Sequence, residues 1–118
     1  MKKVYYLHTC STCQRILKEW DLDNSFELQD IKTDRMTPQQ VDEMIKLAGS
    51  AEVLFSKRAM KYKSMGLADK NLSEKDIRQL IIDEYTFLKR PVMIYNDQIF
   101  IGNAAKTVAA AKEAVSNS

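Results

Sequence analysis

The chain has 118 residues, with 18 Lys plus Arg, 16 Asp plus Glu, one His and two Cys. This length predicts one domain with a hydrophobic core of its own, which needs no disulfide staples or structural metal to fold. A net charge of +2 compels no nucleic-acid or membrane partner, and two cysteines cannot frame a disulfide-rich secreted fold.

Met1-Lys2-Lys3 imitates the basic end of a signal peptide, but the apolar run behind it is only Val4 to Leu7 and stops at His8. A secretory core needs about 7–15 apolar residues and a membrane span about 18. The expected location is therefore cytoplasmic, with no membrane partner. In a reducing compartment a pair of cysteines points to redox or metal chemistry rather than to a structural bridge.

Lys3–Leu7 reads as a short buried strand. Cys10-Ser11-Thr12-Cys13 follows, and then Cys13, Ile16, Leu17 and Trp20 recur at helical spacing. The order is strand, reactive loop, helix. Phe26-Glu27-Leu28-Gln29 alternates as a second strand. Thr37-Pro38-Gln39-Gln40 predicts a helix start, with Thr as cap, Pro at the first position and Gln40 to close a capping box. Val41, Met44, Ile45 and Ala48 form its apolar stripe, and Gly49 ends it. Ala51 to Leu67 is expected to be helical, with Leu54, Phe55, Ala59 and Tyr62 as packing residues and Gly66 as the stop. Ser73 caps a further helix whose stripe is Ile77, Leu80, Ile81 and Leu88, with Tyr85 beside it. Val92–Tyr95 and Gln98–Ile101, joined by Asn96-Asp97, predict a tight hairpin. After Gly102 an Ala-rich helix runs from about Asn103 to Val115, and the 116–118 tail is expected to fray. The order β-α-β-α, then helices, then β-β-α predicts an α/β fold, a thioredoxin-like mixed sheet flanked by helices. Residues 1–118 are read as a single domain, with about 50–89 as a helical insertion between the βαβ half and the ββα half.

A thiolate, not a thiol, is the attacking species. At a helix N-terminus Cys10 meets unpaired backbone N–H groups and the positive end of the helix dipole, which favour the anion. Ser11 and Thr12 offer hydroxyls, and Arg15 a cation, to the same anion site. Cys13 lies one turn further on. It either closes a Cys10–Cys13 disulfide and releases an adduct on Cys10, or is a small core residue on the stripe with Trp20. A zinc site would need two more ligands and His8 is the only histidine, so no metal is expected. His8 itself either tunes the thiolate or simply ends its strand in solvent. Pro91 is tolerable at the start of a strand and also ends the preceding helix. Lys57, Arg58, Lys61 and Lys63 read as solvated surface charges.

Val4-Tyr5, the Cys10–Cys13 loop, Leu54-Phe55-Ser56-Lys57-Arg58, Tyr62, Gly66-Leu67, Leu88-Lys89-Arg90-Pro91-Val92 and Ile101-Gly102 stand together in one chain. On these residues the sequence resembles, over nearly its whole length, the arsenate reductase (ArsC) and Spx family of thioredoxin-like proteins. The resemblance implies that Cys10 is the nucleophile, that Pro91 is a cis-proline facing its sulfur, and that Arg58 and Arg90 hold an oxyanion beside it. Guanidinium forks suit arsenate as they suit phosphate. It further implies a cytosolic thiol-dependent oxidoreductase with no bound cofactor. Its electrons would come from glutathione with glutaredoxin, or from thioredoxin. The Spx-like alternative is a redox-sensing transcriptional regulator that binds RNA polymerase and not nucleic acid directly. The chain departs from the glutaredoxin-linked reductases in three places. Their third arginine, after the last strand, is missing from Ile99-Phe100-Ile101-Gly102-Asn103. Their insertion arginine precedes a Lys, whereas here Ser56-Lys57 shifts the cation to Arg58. Their cysteine has no partner three residues on, whereas Cys13 is present here, as in Spx.

Overall fold

The computed structural model describes residues 1–117. In chain order it contains β1 (Lys2–Tyr6), α1 (Ser11–Trp20), β2 (Glu27–Asp30), α2 (Pro38–Ala48), α3 (Met60–Ser64), α4 (Glu74–Asp83), β3 (Val92–Tyr95), β4 (Gln98–Ile101) and α5 (Ala105–Ser116). Single 3-10 turns lie at Glu52–Leu54, Leu67–Asp69 and Tyr85–Phe87. The chain packs as two compact units, Met1–Arg35 with everything from Arg90 onward, and Met36–Lys89. Helix α2 thus belongs with the second unit.

The first unit is built on a four-stranded sheet of order β2-β1-β3-β4. β1 and β2 are parallel, which requires a crossover, and α1 supplies it. β3 runs antiparallel to both β1 and β4. The β3–β4 turn places Asn96 at φ 57°, a left-handed conformation that Asn tolerates better than most residues. Val4 faces Met93 across the β1–β3 ladder. Both are fully buried, and Ile16 and Trp20 of α1 and Val108 and Ala111 of α5 pack with them. This is the thioredoxin-like mixed sheet with helices that the element order predicts.

Trp20 does more than fill this core. Its indole Nε1 donates to the Val108 carbonyl at 3.0 Å, a buried bond that ties α1 to α5. Trp20→Phe keeps an aromatic ring but strands that acceptor. The expected loss is about 1–3 kcal/mol of stability, read as a lower urea midpoint at unchanged slope.

The edge strand β2 differs from its sequence pattern. Alternation groups Leu28 with Phe26 as the apolar set, yet Leu28 is 50% exposed while Gln29 is buried. β2 has a neighbour on one side only, so its Val4-paired residue gains little cover. Gln29 is accommodated because its amide donates to the Asp34 carbonyl at 2.9 Å.

In the second unit, α2 and α4 start as their caps dictate. Thr37 with Gln40, and Ser73 with Asp76, form complete capping boxes, and Gly49 ends α2 at φ 94°. Arg78 of α4 grips Asp42 of α2 with two bonds, at 2.6 and 3.1 Å. The expected helix from Ala51 to Leu67 is not formed. A 3-10 turn is followed by extended Phe55, an exposed turn at 57–58 and then the five-residue α3. Tertiary bonds override local propensity here. Phe55 bridges to Leu88, Ser56 N–H donates to Phe87 O at 2.7 Å, and Lys89 N–H donates to Leu54 O at 2.8 Å. Of the expected packing residues, Leu54 and Phe55 are buried, whereas Ala59 and Tyr62 are only half-buried. Leu88, placed on the α4 stripe by its spacing, is buried from beyond the end of that helix.

At the far end, α5 continues through Ser116, and Asn117 N–H donates to Glu113 O at 3.0 Å. Of the tail expected to fray, Ser118 lies outside the described residues. Among the described residues no helix is long and apolar enough to cross a membrane.

Candidate functional site

The sheet register brings two distant parts of the sequence together. Tyr5 pairs with Val92 in the antiparallel β1–β3 ladder. One step beyond those strand ends, Arg90-Pro91 meets the C-terminal end of β1, where the loop to Cys10 begins. The Arg90–Pro91 peptide bond is cis, and the Pro91 carbonyl accepts from Gly102 N–H at 2.9 Å. The loop folds back through Cys10 N–H to Leu7 O at 3.1 Å. This turn delivers Cys10 to the N-cap of α1 in an extended conformation, and Gln14 N–H donates to its carbonyl at 3.1 Å.

Both cysteines are free thiols, and their surroundings drive them in opposite directions. Partial burial of Cys10 opposes ionisation. It is outweighed by the Cys13 N–H and thiol, the Thr12 N–H and the positive charge of Arg90, so the thiol titrates below its ordinary value of 9.0. No full side-chain hydrogen bond closes the cap. The N–H groups act on the sulfur as the open end of the helix, the arrangement that stabilises a thiolate. Cys13 has no exposed surface. Its burial pushes its thiol up to about 11, the Cys10 charge adds to the rise, and a Leu7 backbone hydrogen bond and Arg90 only partly offset it.

This asymmetry has consequences at both ends of the pH scale. Alkylation by iodoacetamide is expected to modify Cys10 alone, with an apparent pKa below 9.0. Cys13→Ala removes the S–H donor and moves that value upward. Peptide mapping of both forms over a pH series checks this, and equal labelling of the two cysteines would contradict it. Stability behaves differently. The unfolded Cys13 thiol ionises near 9.0 and the folded one near 11. The native state therefore keeps its advantage below pH 9 and loses on the order of 2 kcal/mol as pH rises toward 11. Urea unfolding at about pH 8 and about pH 11 measures that loss, which Cys13→Ala should remove.

The remaining residues singled out from the sequence fall in different places. Ser11 is exposed at the first position of α1, Thr12 is half-buried with its N–H toward the Cys10 sulfur, and Arg15 is exposed one turn on. Arg58 lies in the second unit, in the exposed turn before α3. His8 is exposed, and its backbone N–H reaches Asp30 Oδ1 at 3.4 Å. Gln14 was not foreseen. Its amide nitrogen donates to the His8 carbonyl at 2.5 Å and lies 3.2 Å from His8 Nδ1, so it holds the loop that carries Cys10. The available signal was a long polar side chain in the first turn of a helix, next to a Cys on the buried stripe. Among the described residues no group of His, Cys, Asp and Glu is arranged to hold a metal ion.

Comparison with known proteins follows the same lines. The ArsC family model matches residues 5–111. No curated protein matches the chain. Among solved structures, a candidate arsenate reductase from Yersinia pestis superposes with a TM-score of 0.76 at 17% identity, covering 93% of this chain and 99% of that one. An arsenate reductase from Vibrio cholerae gives 0.75 at 16% identity, covering 92% and 97%. The protein SACOL0876 from Staphylococcus aureus gives 0.72 at 25% identity, covering 93% and 97%. These likenesses establish the fold. With the family model spanning both cysteines and the Arg90–Pro91 strand start, the chain belongs to the ArsC family.

Proposed function

We propose that this chain is a cytosolic thiol-dependent oxidoreductase of the arsenate-reductase kind, with Cys10 as its nucleophile. The observation that carries this reading is the Cys10 thiol at the open end of α1, held below its ordinary pKa with Arg90 beside it. Cys10 Sγ attacks the arsenic of arsenate. An S–As bond forms, an As–O bond breaks, and the departing oxygen takes two protons to leave as water. Arg90 and the N–H groups of Thr12 and Cys13 stabilise the oxyanion. Arg58 is assigned a second guanidinium contact by its match to the family's insertion arginine, and Ser11, Thr12 and Arg15 are assigned to the same anion.

Cys13 then acts as the resolving thiol. Its sulfur attacks Cys10 Sγ, and the S–As electron pair goes to arsenic, which leaves as arsenite with the thiol proton. A Cys10–Cys13 disulfide remains, and thioredoxin, or glutathione with glutaredoxin, returns it to two thiols. The raised pKa of Cys13 suits this order of events, because Cys10 stays the anion in the resting pair. No bound cofactor is required.

Incubating the reduced protein with arsenate and no external thiol tests the scheme. One arsenite per chain, and loss of both free thiols in the same chain, are expected. Arsenate left unreduced while the thiols remain free would sink it.

The contact between the Cys13 thiol and Cys10 also favours a second reading, a Spx-like redox sensor that binds RNA polymerase. Pull-down of polymerase by the oxidised and reduced chain separates the two. Binding in neither state excludes the sensor.

A further inference from the structure

Two exposed residues, His8 and Thr9, join Leu7 to the nucleophile. A Ser, Thr, Asp or Asn at a helix N-cap locks such a turn with its own side chain. Cys10 cannot, because its sulfur is the reacting atom, and no side-chain hydrogen bond closes this cap. The turn is held by groups other than the thiol. Cys10 N–H donates to Leu7 O at 3.1 Å. His8 N–H reaches Asp30 Oδ1 at a long 3.4 Å, and Lys32 N–H shares that oxygen at 3.2 Å.

Gln14 adds a hold from the helix side. It is half-buried and sits one turn beyond Cys10 on α1. Its backbone N–H donates to Cys10 O at 3.1 Å. Its side-chain Nε2 donates to His8 O at 2.5 Å and lies 3.2 Å from His8 Nδ1. One residue thus grips the loop on both sides of Thr9, Cys10 through its main chain and His8 through its side chain. The N–H groups of Thr12 and Cys13 are left to act on the sulfur.

We infer that Gln14 is a positioning residue for Cys10, which keeps the sulfur against the Thr12 and Cys13 N–H groups by tying the His8 carbonyl to α1. It supplies no contact to the reacting atoms and acts only through the loop. The assignment rests on the reading of Cys10 as the nucleophile. Cutting the tie leaves the main-chain bonds of α1 in place but frees the turn at His8 and Thr9. The sulfur then spends less time against the N–H groups that favour its anion, so fewer chains carry a thiolate at neutral pH. The attacking geometry is also reached less often.

The test is Gln14→Met in the full chain, which keeps the length of the side chain and loses the donor. Iodoacetamide alkylation of Cys10 over a pH series should show the thiolate fraction at pH 7 falling about three- to tenfold. With arsenate as substrate, kcat should fall by a similar factor while KM stays within about twofold. Trp20→Phe weakens the fold from the other end of α1 and should leave the alkylation midpoint unchanged. In the unmodified chain the Gln14 side-chain amide protons should exchange more slowly than those of the exposed Gln39, a readout that needs no variant to fold. An unchanged midpoint in Gln14→Met, an equal change in Trp20→Phe, a loss confined to KM, or Gln14 exchange as fast as that of Gln39 would each overturn the assignment. Failure of the unmodified chain to reduce arsenate would instead overturn the oxidoreductase reading, and the alkylation profile would still decide the role of Gln14.

Discussion

Replacing Cys10 with Ser is expected to lower arsenate-dependent thiol oxidation by a factor on the order of 10⁴ or more, to the level of the donor thiols alone. Serine fits the same N-cap and keeps the fold, so circular dichroism and the urea midpoint should be nearly unchanged while turnover disappears. The hydroxyl cannot replace the sulfur, because it does not ionise near neutral pH even beside the Thr12 and Cys13 N–H groups and Arg90. Arg90 gives the graded companion. Arg90→Lys keeps the charge and loses the planar fork, whereas Arg90→Met loses both. If Arg90 acts on the oxyanion in the transition state, the Met variant loses about 10²–10³ in kcat. It also raises the Cys10 pKa, since the Arg90 charge helps to hold it down. Turnover by the Cys10→Ser variant would dismiss Cys10 as the nucleophile.

Phe87→Ala is the change expected to cost most in stability. Phe87 is fully buried, and its ring stacks on Phe55 with centroids 5.2 Å apart. Its carbonyl also accepts Ser56 N–H at 2.7 Å, beside the Phe55–Leu88 bridge that holds 51–67 out of a continuous helix. Truncation leaves a cavity under that bridge and costs about 3–5 kcal/mol. Against a typical total of about 5–15 kcal/mol, this is enough to leave a marginal fold. Urea unfolding reads the global loss. Hydrogen exchange at the Ser56 and Lys89 amides reads the local one and should accelerate first, because these bonds close the segment onto Phe87 and Leu54. Phe87→Leu, which keeps most of the volume, should recover more than half of the stability.

What could be read from the sequence was set by how local each cause is. Thr37 with Gln40 and Ser73 with Asp76 announce their helices because a capping box closes within four residues. The β3–β4 hairpin is legible for the same reason, its turn needing only Asn96-Asp97. Cys10 is legible because a strand, a short loop and a helix start are all contiguous. The stretch 51–67 was misread because its shape is decided at Phe87, Leu88 and Lys89, on the other side of α4. Gln14 was missed because one amide reaching back to His8 leaves no periodicity. The proximity of Arg90 to Cys10 cannot be read from spacing. It follows from the pairing of Tyr5 with Val92, which only the folded sheet supplies, and the family resemblance was its one signal in the sequence.

Cys13 sits on the apolar stripe of α1 with Ile16 and Trp20, and it has no exposed surface. In the proposed Cys10–Cys13 disulfide, a donor arriving from solvent would meet a single accessible end. It would attack Cys10, so a mixed disulfide trapped in turnover is expected on that sulfur, with Cys13 as the leaving thiol. In that scheme the hydrophobic packing that anchors α1 to the sheet would also set the direction in which electrons enter the pair.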